Sequence, residues 1–307
     1  MKGLSFLTKP SGGVWVLASV GLGIALFSCR PTKEAAPGWT PVQGRIMTRW
    51  AADVDPQNVW PEYPRPQMER KAWLNLNGLW KYAIRPSEEE APEEMDGTIL
   101  VPFPVESALS GVGRPVGKDL RVWYRRTFRI PKDWDAERVI LRFEAVDWET
   151  RVWINGREIG IHRGGYDPFA LDITDALRQD GDQEILVAVW DPADEGHQPR
   201  GKQVRQPHGI WYTSVTGIWG TVWLEPVPEL HIDSLRIMPD IDAGKVAFSV
   251  RCSEKALGFR VAVEVREGET VLSRAEGLPG EVLTCRMESP NLWSPESPFL
   301  YKARVSL

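Results

Sequence analysis

Apolar and polar residues alternate with a period of two through much of this sequence, and no stretch keeps a helical period beyond about twelve residues. Leu141 and Phe143, for example, alternate with Arg142 and Glu144. Such alternation places successive side chains on opposite faces of a β-strand. The Asn-Gly pair at 155–156 is a strong signal for a two-residue hairpin turn. The pattern predicts a nearly all-β protein.

Two proline residues divide the alternating segments into two groups. Pro226 and Pro228 stand where a sheet is expected to break, because proline cannot donate a hydrogen bond to a neighbouring strand. Residues 60–228 fit a jelly-roll (galactose-binding-like) β-sandwich. In residues 229–307 short strands recur at roughly ten-residue spacing, as in an immunoglobulin-like β-sandwich. We therefore predict two successive β-sandwich domains.

Composition narrows the class of partner. The net charge of -5 provides no basic surface for nucleic acid, so no nucleic-acid partner is expected. Fifteen tryptophans in 307 residues supply either a heavy aromatic core or flat apolar faces for a ligand. Sugar rings are a common ligand for such faces, so carbohydrate is the predicted partner, and a homo-oligomer is left open.

The first 29 residues resemble a bacterial export signal. Lys2 and Lys9 precede a run without charge, residues 10–28, that ends in Leu-Phe-Ser-Cys. This ending resembles the site at which lipoproteins are cleaved and acylated, which makes Cys29 the predicted lipidation residue. An ordinary cleaved signal and an uncleaved anchor are the alternatives. Several acyl chains would anchor the protein stably in a membrane.

The residues that follow the signal predict the location of the mature protein. Residues 30–59 are predicted to form a polar tether. Arg30 replaces the aspartate that commonly retains lipoproteins in the inner membrane. An outer-membrane location is therefore expected, with periplasmic and surface-exposed display both left open.

Cysteine and histidine give no indication of a metal site. The chain has no Cys-x-x-Cys pair and its four histidines are scattered, so neither a zinc site nor another cofactor is expected. Cys252 and Cys285 fall on separate predicted strands. They are interpreted as two buried thiols, with a disulfide as the alternative in an exported protein.

Sequence motifs of catalysis are absent from the chain: it has no phosphate-binding loop, dinucleotide fingerprint, zinc-protease motif or nucleophile elbow. Asp147 and Glu149 would share one face if both lay in a single strand, so they could cooperate. The simpler interpretation places them at exposed polar positions on a rim. No catalytic residue is assigned.

The segment 191–213 is the most promising candidate for ligand binding. It follows a strand, runs for some twenty residues without clear periodicity, and combines polar side chains with adjacent aromatics. Loops of that length in a compact domain are usually functional or disordered. Aromatics that seal the end of the sandwich are the structural alternative. The candidate sugar-binding residues are Arg200, Lys202, Gln203, Trp211 and Tyr212.

Several motifs, in order along the chain, resemble the N-terminal domains of glycoside hydrolase family 2, which includes β-galactosidases, β-glucuronidases and β-mannosidases. The motifs that carry the resemblance to the sugar-binding domain are WLNLNGLW (73–80), VPFP (101–104), WYRRTF (123–128), VILRFEAVDW (139–148), VWING (152–156), GGYDPF (164–169) and TGIW (216–219). NLWSP (291–295) and PFLY (298–301) resemble the end of the family's immunoglobulin-like domain. The resemblance covers about residues 60–307.

The resemblance implies a function and places its chemistry elsewhere. The family's two catalytic glutamates lie on a (β/α)₈ barrel of about 250 residues, which is absent from this sequence. We therefore expect the non-catalytic N-terminal portion of a β-galactosidase-like exo-β-glycosidase. The family's β-galactosidases lend an aspartate from the first domain to galactose and sodium, whereas Trp211 and Tyr212 occupy that position here. Galactose is the expected sugar, with glucuronic acid and mannose as the alternatives. The alternative function is a stand-alone carbohydrate-binding lipoprotein without hydrolase activity.

Overall fold

Strands form where the sequence alternates. The structure is a computed structural model that describes residues 39–134, 137–256 and 258–307. Within these ranges it contains twenty β-strands and three short 3₁₀ helices, Arg49–Asp53, Thr174–Ala176 and Glu254–Ala256. The predicted signal peptide, with Cys29, and the start of the predicted tether lie outside the described residues.

The strands fall into two groups along the chain. The first group is β1 (Leu74–Asn75), β2 (Gly78–Pro86), β3 (Gly97–Val101), β4 (Leu120–Phe128), β5 (Arg138–Phe143), β6 (Val146–Asp147), β7 (Glu149–Ile154), β8 (Arg157–Arg163), β9 (Phe169–Asp172), β10 (Gln183–Trp190), β11 (Gln203–Val204), β12 (Tyr212–Thr213), β13 (Gly217–Ile218) and β14 (Val222–Val227). The second group is β15 (Ile232–Asp240), β16 (Lys245–Cys252), β17 (Val261–Glu267), β18 (Thr270–Gly277), β19 (Val282–Arg286) and β20 (Lys302–Ser306).

Two antiparallel sheets form the first sandwich. One sheet has the strand order β3-β2-β4-β10-β7-β8 and the other has the order β1-β14-β5-β9. The inward-facing residues of both sheets meet in one apolar core, in which Trp80, Tyr124 and Phe143 are at most 1% exposed. Burying each aromatic side chain contributes about 2–3 kcal/mol. Two short ladders, β6 with β13 and β11 with β12, lie outside these sheets.

The segment before the first sandwich is packed at particular points. Trp39 and Val59 are buried with Leu100 in a small separate core. The indole Nε1 of Trp39 donates to the carbonyl of Leu109 at 3.1 Å. Residues 39–59 therefore differ from a free tether, because apolar side chains at both ends of this stretch pack onto the first sandwich.

The second sandwich has its own smaller core. Its sheets have the orders β15-β16-β19 and β18-β17-β20, and Phe248, Val261 and Val263 are buried between them. Cys252 and Cys285 are free thiols; Cys285 is buried and Cys252 is half-buried. The prediction of an all-β chain with two successive sandwiches is confirmed. The alternation of apolar and polar residues is sufficient for it, because alternation decides which side chains can face a core.

A buried ionic cluster joins the two sandwiches. Glu225 on β14 is fully buried and accepts hydrogen bonds from Arg65, Arg70 and Arg142 at 2.9, 3.1 and 2.8 Å. Arg142 also contacts Asp233 on β15, the first strand of the second sandwich, at 3.3 Å. These residues connect the segment before β1, the first sandwich and the second sandwich at one point.

No helix in the described part of the chain is long and apolar enough to cross a membrane.

Candidate functional site

Three carboxyl groups are buried at one end of the first sandwich. Glu106 lies in the turn after β3, Asp147 ends β6 and Asp191 directly follows β10; their exposed fractions are 4%, 3% and 3%. They come together because β10 ends opposite the start of β7, and β6 immediately precedes β7. We call Glu106, Asp147 and Asp191 the acid cluster. Buried carboxyls are rare without a partner or a functional role.

Thr216 connects two members of the acid cluster. Its backbone amide donates to Oε2 of Glu106 at 3.0 Å and its hydroxyl donates to Oδ2 of Asp191 at 2.8 Å. The amide of Ala193 donates to the other oxygen of Asp191 at 2.7 Å. Oε1 of Glu106 is buried without a hydrogen-bond partner. The cluster is therefore built into the fold, with one acceptor left unsatisfied.

Glycine allows the backbone to approach the acid cluster. A Cβ atom at Gly165 would lie 2.5 Å from the carboxyl carbon of Asp147, closer than real contacts allow. The indole Nε1 of Trp219 donates to the carbonyl of Gly165 at 2.8 Å and fixes this stretch of chain. The loop after β8 is thus held directly against Asp147, which places the next residue, Tyr166, at the edge of the cluster.

Burial raises the pKa of all three carboxyl groups of the acid cluster. Burial raises the pKa of Glu106 to about 8, and the hydrogen bonds from Thr216 oppose this rise only in part. Burial, together with the negative charges of Asp191 and Glu106, raises the pKa of Asp147 to about 8. Burial also raises the pKa of Asp191, against the hydrogen bonds from Ala193 and Thr216. At neutral pH Glu106 and Asp147 are therefore mostly neutral carboxylic acids, which can donate hydrogen bonds.

Two aromatic side chains, Tyr166 and Trp219, border the acid cluster, and we call them the aromatic rim. Tyr166 is 45% exposed, and its ring packs edge-to-face on Trp219 with the ring centroids 5.8 Å apart. Nε2 of Gln203 donates to the Tyr166 hydroxyl at 2.9 Å, while Oε1 of Gln203 accepts from the amide of Val215 at 2.6 Å. Burial, and after it the negative charge of Asp147, raise the pKa of Tyr166. An oriented hydroxyl beside an exposed aromatic face suits sugar recognition.

The five candidate residues of the segment 191–213 lie in one loop, and one of them reaches the rim. Gln203 on β11 pairs in parallel with Tyr212 on β12, and its side chain holds Tyr166. Arg200 donates to the carbonyl of Asp194 at 2.5 Å. Lys202 is exposed, and its carbonyl accepts the amide of Tyr212 at 2.8 Å.

The two adjacent aromatics of this loop differ in exposure. Tyr212 is 63% exposed, whereas Trp211 is half-buried and its amide donates to the carbonyl of His208. The other large apolar side chain that is exposed in this loop is Ile210, at 65%, and not Trp211. The assignment of Arg200, Lys202, Gln203, Trp211 and Tyr212 to sugar binding stays a prediction.

Sequence reasoning missed most of the acid cluster. The interpretation of Asp147 and Glu149 as exposed rim residues is wrong for Asp147, which is 3% exposed. The two residues also lie in different strands, β6 and β7, and Glu149 accepts a hydrogen bond from Arg163 at 2.7 Å, so the alternative of a shared strand face does not hold. Glu106 and Asp191 belong to no motif that marks them as site residues. One signal is present in the sequence: Asp191 directly follows a strand that is apolar on both faces. Within the described residues no group of three His, Cys, Asp or Glu side chains could hold a metal ion.

Comparison with known proteins identifies the family of both sandwiches. Residues 74–225 match the model of the glycosyl hydrolases family 2 sugar binding domain, and residues 230–307 match a second model, glycosyl hydrolases family 2. A β-glucuronidase of Paenibacillus borealis is 25% identical over 268 residues, which cover 80% of this chain and 44% of that protein. A β-galactosidase of Thermoanaerobacter pseudethanolicus is 28% identical over 197 residues, which cover 60% of this chain and 26% of that protein.

Solved structures show the same fold. The β-glucuronidase of Faecalibacterium prausnitzii superimposes with a TM-score of 0.58 at 24% identity, covering 80% of this chain and 45% of that one. The β-glucuronidase of Ruminococcus gnavus gives 0.59 at 19% identity, covering 80% and 43%. The chain thus spans less than half the length of these relatives. The two family models together match most of the sequence, and the chain belongs to glycoside hydrolase family 2.

Proposed function

We propose that the chain is the non-catalytic N-terminal portion of an exo-acting β-glycosidase that hydrolyses terminal β-linked sugars. Two consecutive matches to family 2 domains support this, as do relatives named β-glucuronidase and β-galactosidase. In a retaining glycosidase two carboxylates stand about 5–5.5 Å apart on either side of the scissile bond. In this proposal a (β/α)₈ barrel carries that pair, and the two sandwiches support the barrel and one side of the sugar site.

The observation that carries the proposed sugar-facing role is the hydrogen bond from Gln203 to the Tyr166 hydroxyl beside the acid cluster. Gln203 fixes the orientation of that hydroxyl, and Trp219 fixes the ring. Because Glu106 and Asp147 hold their protons near neutral pH, these two carboxyl groups place little negative charge next to the rim. An aromatic rim that carries an oriented hydroxyl and has little charge beside it can hydrogen-bond sugar hydroxyls without having to neutralise a counter-ion.

Sequencing the gene beyond codon 307 tests the proposal directly. We expect an in-frame (β/α)₈ barrel with a glutamate that follows an asparagine, the family's acid/base motif. A stop codon followed by unrelated sequence would contradict the enzyme proposal. It would favour a carbohydrate-binding protein without hydrolase activity, for which oligosaccharides should change the tryptophan fluorescence of the chain.

The proposed role of the rim is tested by substitution in the barrel-containing enzyme. Tyr166→Ala and Gln203→Leu should each lower kcat/KM for terminal β-glycosides by about tenfold or more, since each removes an oriented hydrogen-bonding group. Nitrophenyl β-galactoside, β-glucuronide and β-mannoside are the substrates to compare. Trp293→Ala removes an exposed aromatic side chain of the second sandwich and is the control, and Tyr212→Ala removes the exposed tyrosine of the segment 191–213 for comparison. A larger loss for Tyr212→Ala than for Tyr166→Ala would move the sugar-facing site to that loop.

We further propose that the protein is exported and attached through acyl chains on Cys29 to the outer membrane. Support comes from the basic start, the uncharged run and the lipoprotein-like ending of the first 29 residues. Labelled fatty acid should be incorporated into the wild-type protein, which should partition into detergent. Cys29→Ala should abolish both. An unlabelled, water-soluble wild-type protein would contradict lipid attachment.

A further inference from the structure

A short exposed arm precedes the first sandwich. All eight residues 43–50 are exposed, and three of them are large and apolar: Ile46 at 101%, Met47 at 39% and Trp50 at 60%. Large apolar side chains grouped within five residues on a surface commonly mark an interaction site. The family 2 model begins at residue 74, so the matched domain does not account for this arm.

The base of the arm is fixed to the protein. The amide of Val42 donates to the carbonyl of Ala108 at 2.9 Å, and Trp39 is buried just before it. Nη2 of Arg45 donates to the carbonyl of Gly113 at 2.7 Å. These contacts hold the backbone before the arm, and Arg45 within it, against the first sandwich and leave the apolar side chains of the arm exposed to solvent.

The charge of the arm is opposite to that of the whole chain. Arg45 and Arg49 are the only charged residues between positions 35 and 52, in a protein whose net charge is -5. The guanidinium of Arg49 lies 4.5 Å from the ring centroid of Trp50. Tryptophan and aliphatic side chains flanked by arginine are the composition of segments that lie in a membrane interface, where the cations meet lipid phosphates.

Chain length places the arm near the membrane if Cys29 carries the anchor. Trp39 lies ten positions after Cys29 and is the first residue in the described part of the chain that packs onto the first sandwich. Fully extended, ten residues span at most about 35 Å. The arm begins four residues after Trp39, so an acylated protein holds it within reach of the bilayer surface.

We propose that residues 43–50 form a membrane-docking arm, in which Ile46, Met47 and Trp50 enter the interface of an anionic bilayer while Arg45 and Arg49 contact lipid phosphates. The geometry of this proposal rests on the proposed lipid anchor. The arm orients the first sandwich on the membrane, which acyl chains on Cys29 alone cannot do. Its affinity for lipid, however, is a property of the described residues and can be measured without acylation.

The test uses an unacylated chain that starts at Arg30, because residues 35–307 form a compact unit that contains both cores. It is mixed with vesicles of phosphatidylethanolamine and phosphatidylglycerol (about 7:3) or with vesicles of phosphatidylcholine alone, and the bound fraction is measured by flotation. We expect binding to the anionic vesicles that weakens with added salt. Absence of binding by the wild-type chain would overturn the proposal.

Variants separate the apolar contribution from the charge contribution. Ile46→Ser with Trp50→Ser should lower partitioning by at least tenfold on both kinds of vesicle. Arg49→Gln should lower it about fivefold on anionic vesicles and change little on phosphatidylcholine. Leu292→Ser with Leu300→Ser, which changes exposed apolar residues of the second sandwich, is the control and should bind like the wild type.

Two other outcomes assign the surface differently. If the double serine variant binds vesicles normally but no longer self-associates, a second copy of the chain covers the arm and the proposal is wrong. If the arm binds vesicles but Cys29 takes up no labelled fatty acid, the lipid anchor is overturned and the arm stands as an independent contact with the membrane.

Discussion

Arg142 donates a hydrogen bond from Nε to Oε2 of Glu225 at 2.8 Å, and both side chains are buried where the two sandwiches meet. Burial alone would raise the pKa of Glu225, but the charge of Arg142 and hydrogen bonds from Trp223 and Tyr63 hold that pKa below its ordinary value. Glu225 therefore stays ionised as the shared acceptor of this junction. Removing one partner from such a buried set leaves the remaining charges uncompensated.

Replacing Glu225 should destabilise the protein strongly. Glu225→Gln leaves Arg65, Arg70 and Arg142 without their shared counter-ion, and we expect a loss of about 3–5 kcal/mol in the free energy of unfolding in urea. Arg163→Gln breaks the exposed ion pair with Glu149 and is the control, with an expected loss of about 0–1 kcal/mol. Equal losses for the two variants would show that Glu225 does not hold the junction together.

Stability should depend on pH in opposite directions for Glu225 and for the acid cluster. The pKa of Glu225 is lowered by folding, so its contribution is present above its unfolded pKa and is lost as the pH falls through the folded value. The pKa of Glu106 is raised from 4.5 to about 8, so its contribution is complete below pH 4.5 and is lost as the pH rises toward 8. Asp147 behaves in the same way.

Glu106→Gln should flatten the alkaline side of this profile. Glutamine keeps the shape and cannot ionise, so the variant should lose less stability than the wild type between pH 5.5 and 8.5, by on the order of 3 kcal/mol. Urea unfolding at several pH values measures the difference. Glu93→Gln, an exposed glutamate, should leave the profile unchanged. A wild-type profile that is flat from pH 5.5 to 8.5 would mean that the acid cluster titrates normally.

Adding a methyl group at Gly165 should disturb the acid cluster. Gly165→Ala would place a Cβ 2.5 Å from the Asp147 carboxyl, so the loop or Asp147 must shift. Overpacking of this kind costs about 1–3 kcal/mol, and the thermal unfolding midpoint should fall accordingly. In Gly97→Ala the new Cβ would lie 3.3 Å from the nearest ring atom of Tyr82, so this control should cost less. Equal midpoints would show that the loop after β8 yields without cost.

The two sandwiches of this protein can be predicted from its sequence more directly than its candidate functional site. Alternation such as that around Leu141 decides which side chains can reach a core, so both sandwiches could be predicted from the residue pattern alone. Glu106 and Asp191 could not be assigned in this way, because they meet only when β10, the turn after β3 and Thr216 converge. The composition of the segment 191–213 makes Gln203 a candidate for ligand binding. Nothing in the sequence connects Gln203 with its hydrogen-bond partner Tyr166, 37 positions away along the chain.

We propose that these two domains belong to a glycosidase whose chemistry lies outside them. The most direct measurement compares the 307-residue chain with the barrel-containing gene product on nitrophenyl β-galactoside, β-glucuronide and β-mannoside. The longer protein should hydrolyse at least one of the three, and the 307-residue chain should release no nitrophenol above buffer, since no carboxylate pair of the required kind is assigned within it. Turnover by the purified 307-residue chain itself would contradict this account.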